Sequence, residues 1–148
     1  MGAQDLIWGR YPQDGTDVTV KNTSGSAINL VNLVGGLCVK IDTGNLIGAA
    51  ATNVAIGVTP TTAVTDFPFG LMVESVPAAY SGRVQIQGVG IGVAPGAVTG
   101  GAIVGPSGAT NGYLTTYTAT DPSLGQACNT TANTGDPLLV RIAPSRNA

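Results

Sequence analysis

The chain has 148 residues and a formal net charge of −2; 9% of its residues are charged, 43% are hydrophobic, and none is histidine. Without histidine the commonest general base and metal ligand are missing, so neither a Ser-His-Asp nor a Cys-His site can form within the chain. Six basic residues, scattered as Arg10, Lys21, Lys40, Arg83, Arg141 and Arg146, leave no basic stripe to neutralise a run of phosphates, which excludes the usual modes of nucleic-acid binding.

Residues 1–16 carry no periodic pattern but hold Leu6, Ile7, Trp8 and Tyr11, followed by Pro12 and an Asp14-Gly15 turn. They predict an irregular arm whose apolar side chains either fold back on their own domain or reach a neighbouring subunit. The same stretch lacks the basic and apolar regions of a secretory signal. The longer apolar runs, such as Leu30 to Val34, fall far short of the ~20 residues of a membrane helix. The product is therefore expected to be made in the cytosol and to bind no membrane.

From Asp17 the signals are those of strands. Val18-Thr-Val20, Ala27 to Val31, Leu37 to Ile41, Val54 to Val58 and Phe69 to Ser75 alternate or run apolar between Gly, Asn, Asp and Ser turns. Pro60, Asp66 and Pro68 predict a loop from Thr59 to Pro68. Gly82 to Gly88 is the cleanest alternation, with Val84 and Ile86 expected inside and Arg83, Gln85 and Gln87 outside. It continues into Val89-Gly-Ile91-Gly-Val93, where glycine at every second position predicts a sharp barrel corner or a subunit contact through Val89 and Ile91. Strands at Gly101 to Val104, Tyr113 to Thr118, Leu124 to Cys128 and Leu138 to Ile142 follow, with loops at Gly105 to Gly112 and Asn129 to Asp136. Helical periodicity never persists over ten residues. Cys38 and Cys128, each in an apolar segment, are expected to be two free thiols that behave as small buried hydrophobes.

The strand pattern is written twice. Val18 answers to Val84, Gly36 to Gly101, Gly57 to Gly125 and Val73 to Val140, each in a like local sequence. The expected fold is an all-β barrel or sandwich made of two similar halves. Several functional motifs fail on inspection. The run Gly88-Val-Gly-Ile-Gly92 has no helix after it to meet a pyrophosphate; the sequons at Asn22 and Asn129 lack a secretion signal; Asp14 and Asp17 alone are too few oxygen ligands for calcium. Trp8, Tyr80, Tyr113 and Tyr117 offer a sparse carbohydrate-stacking surface at best.

Taken in order, Asp17-Val-Thr-Val20, Gly36-Leu-Cys-Val39, Ile56-Gly-Val58, Gly82-Arg-Val-Gln-Ile-Gln-Gly-Val89, Gly101-Ala-Ile-Val104, Leu124-Gly-Gln-Ala127 and Gly135-Asp-Pro-Leu-Leu-Val-Arg-Ile142 resemble the tailed-phage capsid decoration, or cement, proteins. The resemblance covers roughly residues 17–144. It implies a small β-barrel or β-tulip-like domain with an N-terminal arm (1–16) and a short tail (145–148). It also implies a homotrimer on the outside of a virion capsid, bound to the major capsid protein, with no catalysis and no cofactor or metal. Leu6, Ile7, Trp8, Tyr11, Val89 and Ile91 are the expected capsid or subunit contacts. The alternative is a receptor- or glycan-binding β-knob of a phage tail or surface layer.

Overall fold

The structure is a computed structural model that describes residues 15–45 and 56–145. Nine strands make it all-β: β1 (Thr16–Asn22), β2 (Cys38–Ile41), β3 (Ile56–Pro60), β4 (Gly70–Met72), β5 (Ser81–Val93), β6 (Ile103–Pro106), β7 (Leu114–Thr116), β8 (Ser123–Ala127) and β9 (Pro137–Ser145). Among the described residues the only helical element is a 3-10 turn at Thr43–Asn45. None is a helix long and apolar enough to cross a membrane.

The first five strands close on themselves in the order β1-β3-β2-β4-β5, with β5 returning to pair antiparallel with β1. All pairings in this small barrel are antiparallel except β1 with β3, where Val20 lies opposite Ile56 and Lys21 opposite Gly57. β5 is thirteen residues long and belongs to two sheets. Its first half, to Gln87, completes the barrel; from Gly88 on it pairs with β9, and a second sheet continues as β9-β8-β6-β7. The two sequence halves thus part at β5. The pairing of β2 with β3 recurs as β6 with β8, whereas β9 joins β8 and not β6.

Two apolar clusters explain the strand patterns. Val20, Ile28, Val39, Val58, Met72, Val76 and Val84 fill the barrel, with Val18, Leu37, Ile56, Phe69 and Ile86 packed around them. Cys38, Leu71, Ala94, Val98, Val104, Leu114, Leu124, Ala127, Leu138, Val140 and Ile142 form the second. Successive residues of β2 (Cys38, Val39) and of β4 (Leu71, Met72) go to different clusters, because neighbouring side chains on a strand point to opposite faces. The β2–β4 wall is therefore lined inside by the barrel core and covered outside by the second sheet. That is why β4 is buried at every position.

One expectation from the alternation is corrected. Arg83 and Gln87 are exposed, but Gln85 is buried, because its side chain lies between Gly15, just before β1, and Gly90 farther along β5, both too small to hold it off. Its carboxamide N–H group donates to the carbonyls of Gln87 (2.9 Å) and Val89 (3.1 Å), satisfying backbone acceptors at the point where the strand leaves the barrel. Gly88, with φ of 88°, makes that bend. The corner is thus made at Gly88, while Gly90 and Gly92 lie in the β9 ladder and leave room for Leu71, Leu114 and Ile142.

Smaller differences have equally local causes. Ala27 to Val31 forms only isolated bridges, Ile28 with Val76 and Val31 with Gly35, and joins no ladder, although Ile28 is buried in the barrel cluster. β9 runs on to Ser145, past the pattern that ended at Ile142. Cys38 and Cys128 are both free thiols. Cys38 is fully buried, and burial pushes its thiol up to about 12. Cys128, expected inside, is exposed, because β8 ends at Ala127 and the next residue leaves the covered face.

Candidate functional site

Both predicted loops start later than expected, because β3 runs on to Pro60, opposite Val39, and β6 to Pro106, opposite Leu114. The stretches that remain, residues 61–68 and 107–112, are far apart in sequence and adjacent in the fold. The Gly112 N–H donates to the Thr61 carbonyl (2.8 Å), and the Cys38 N–H to the Gly112 carbonyl (2.8 Å). A side chain at Gly108 would meet Val64 at 3.3 Å. Together they present Val64 and Phe67, each about two-fifths exposed, beside the polar Thr62, Thr65, Gly108 and Ala109 backbone. The surface is apolar and its loops are pinned.

The pin is Asp66. Its carboxylate accepts the N–H groups of Thr62 (2.7 Å) and Ala63 (3.0 Å) and pairs with Lys40 Nζ at 2.9 Å. Burial alone would raise its pKa, but the Thr62 N–H, the Lys40 ammonium and the Ala63 N–H outweigh it and hold the carboxyl below its usual range. Asp136 repeats the device before β9. It accepts the N–H groups of Ala132 (3.0 Å) and Asn133 (2.8 Å), which hold its pKa down as well. A buried threonine precedes each aspartate by five residues, Thr61 and Thr131. The internal repeat therefore extends into the loops before β4 and β9. The signal was present as Thr61…Asp66-Phe-Pro68 and Thr131…Asp136-Pro137.

Asp66→Ala is expected to cost about 1–2 kcal/mol, the scale of charge-assisted hydrogen bonds discounted for partial exposure. Because the folded-state pKa is depressed, this contribution is fully present above the ordinary carboxylate pKa of about 4 and fades as pH falls through the lower folded value. Urea unfolding at a series of pH values should show wild type and variant converging only on acidification below that point.

Of the contacts expected from sequence, Leu6, Ile7, Trp8 and Tyr11 lie outside the described residues, as does Asp14. Val89 and Ile91 are half-buried on the outer face of the second sheet, opposite Arg141 and Leu139. On that face Ile103, Tyr117, Ser123, Gly125, Gln126, Arg141, Ala143 and Ser145 line a shallow recess of about 240 Å³. Tyr80 is exposed at the barrel end where β5 begins, whereas Tyr113 and Tyr117 flank β7 at the far edge of the second sheet. These three do not make one stacking surface. Both sequon asparagines are structural: Asn22 is fully buried and bonded to Ser24, Ser26 and Val76, and Asn129 bonds Pro137 and Leu139. Among the described residues no three His, Cys, Asp or Glu side chains gather to hold a metal.

One surface feature had no sequence signal at all. Leu33 is 89% exposed, the most exposed large apolar side chain among the described residues, at the tip of the turn from Val31 to Val34. Asn32 and Leu33 both have positive φ, 52° and 65°.

This arrangement is that of a closed five-stranded barrel with a second antiparallel sheet laid against its wall. The chain matches no protein-family model and no curated protein. Its fold is similar to the crystal structure of the head fiber gp8.5 N base of bacteriophage phi29, with a TM-score of 0.61 at 12% identity, covering 90% of this chain and 99% of that one. At that identity the likeness is one of fold.

Proposed function

We propose that the protein is a structural component of a phage head that binds the outside of the assembled capsid and stabilises it without catalysis. The observation that carries this reading is the fold likeness to a head-fiber base, which takes in nearly the whole of both chains. Three features of the chain support it. Charge is scarce enough that little opposes close association. The exposed apolar residues Leu33, Val64 and Phe67 all sit in tight turns or pinned loops, so docking them costs little ordering entropy. The chain also has no histidine, the commonest general base. A cement acts through area, and an interface of about 1,600 Å² suffices for stable binding when its core is well packed.

In this reading the major capsid protein is the partner, the unit on the shell is a homotrimer, and Leu6, Ile7, Trp8 and Tyr11 of the arm add contacts to it. The test is co-sedimentation with empty capsids purified from the phage that encodes the chain. Saturable binding to expanded capsids is expected, with a higher temperature of capsid disruption. Deleting residues 1–12 should lower occupancy; unchanged occupancy removes the arm from the interface. Glycan-array binding without capsid binding would point to a receptor-binding knob and overturn the reading.

A further inference from the structure

The outer face of the second sheet carries one row of side chains that crosses it from β5 to β7. Val89 lies opposite Arg141, Arg141 opposite Gln126 and Gln126 opposite Ile103, and the Tyr117 N–H donates to the Ile103 carbonyl (3.1 Å). Residues paired across strands share a face, so these side chains stand together. Val89, Gln126 and Tyr117 are half-buried, whereas Arg141 and Ile103 are exposed. From Arg141 to Tyr117 the row lines the recess of about 240 Å³, a space for one bulky side chain. Ile103, Tyr117 and Ala143 give it apolar walls, and Arg141 is the only charge among its lining residues. Among the described residues Arg141 has no ion-pair partner.

The N-terminal arm joins the fold at the end of this row. Thr16 lies opposite Gln87 and Ile142 opposite Gly88, so β1 and β9 meet consecutive residues of β5. Gly15 sits on the bend itself, its Cα 2.7 Å from where a Cβ on Gly88 would be. The arm therefore departs within about two strand spacings, ~10 Å, of β9. Across the face from β5 to β7 is four spacings, or ~19 Å. The seven residues from Trp8 to Gly15 span up to ~23 Å when extended. Trp8 thus reaches Ile103 and Tyr117, while Asp14 stays near Arg141, a pairing of opposite charges. Arg10 is the one like charge in the arm, and its long stem lets its head stay in water. A tether this short holds the arm at an effective concentration in the mM range, which favours its own sheet over that of a sister copy.

We infer that the arm is a strap that lies across the outer face of its own second sheet, with Trp8 in the recess against Ile103 and Tyr117. The inference concerns the free protein and does not rest on the capsid-binding reading. Where that reading holds, the strap opens for the arm to touch the shell.

Trp8 is the only tryptophan, so its fluorescence reports the contact directly. In the full chain at ~1 μM, far below the effective concentration of the tether, Trp8 should emit to the blue of the urea-unfolded chain and be shielded from acrylamide. The double variant Ile103→Thr/Tyr117→Thr keeps good strand formers and removes the apolar walls. Its quenching constant should rise about threefold, toward that of the unfolded chain, as a buried indole becomes exposed. Arg141→Glu sets a like charge near Asp14 and should raise the constant about twofold, an effect that fades with added salt. Circular dichroism checks the fold of both variants. Arg141 is exposed, so its substitution spares the core and decides the matter alone if the double variant does not fold. Trp8 as accessible in the native protein as in the unfolded chain overturns the strap. Shielding that neither variant reduces also overturns it, because the arm then packs elsewhere. Shielding that is lost on dilution assigns the recess to the arm of a second copy and overturns the strap within one chain.

Discussion

Leu71→Ala is expected to cost about 4 kcal/mol, toward the upper end of the range for buried leucines. Leu71 lies on the barrel strand β4 but points outward, into the cluster shared with the second sheet. The strand that crosses above it carries glycine at 90 and 92, and side chains there would meet Leu71 at 3.2 and 3.4 Å. Leu71 thus fills the volume those glycines leave. Leu114 and Ile142 stand over the same glycines, 2.9 and 3.0 Å from where a Cβ would sit, but as fully packed members of the cluster they can close the space only in part, so truncation leaves a residual cavity. Urea unfolding with an unchanged slope and a lowered midpoint is the expected result. A loss below about 1 kcal/mol would show that the sheets are not joined through this residue. Gly90→Ala should partly rescue Leu71→Ala while destabilising the wild type, a coupling that a double-mutant cycle measures directly.

The second large effect is expected at Gly36. Its N–H donates to the Ile91 carbonyl (2.9 Å), linking the chain entering β2 to the far half of β5. A Cβ at this position would collide with the backbone carbonyl of Met72 and stand 3.3 Å from that of Ile91. Neither backbone can retreat, because both strands are held in ladders on their other sides. Gly36→Ala should therefore cost about 3 kcal/mol or more, as overpacking against backbone does. Gly96→Ala is the control, since nothing lies within 4 Å of that position. It should change stability by no more than about 0.5 kcal/mol. Equal costs at the two sites would mean that Gly36 is needed for chain flexibility and not for close approach.

Much of the fold was legible because a half-buried strand must alternate. Val18, Val20, Val84 and Ile86 declared their inward face by period two, and all pack in or around the barrel core. The doubled pattern put the start of the second half in β5, where the two sheets divide a few residues later at Gly88, and the glycine alternation after it pointed to a barrel corner or a subunit contact. Gln85 could not be placed, since its burial depends on the approach of Gly15, seventy positions earlier in the chain, and on the bend that brings Gly90 to its carboxamide. Cys128 could not either: whether the last residue of an apolar run is covered depends on where the ladder stops. The candidate surfaces were legible in part. Sequence marked loops at 59–68 and 105–112, but their contact through Thr61 and Gly112 is long-range and leaves no local trace. Leu33 gave no signal, because exposure and positive φ are properties of a path and not of a residue type.

By itself, then, the sequence determined the all-β class, most of the strand positions, the absence of histidine chemistry and the scarcity of charge, all of which follow from local periodicity and composition. Only the tertiary structure decided that β5 serves two sheets, that β2 and β4 are covered on both faces, and that Leu33 stands strained in solvent. Those outcomes depend on which distant backbones approach one another, and non-local pairing is set by the packing of the whole chain and not by any one segment of it.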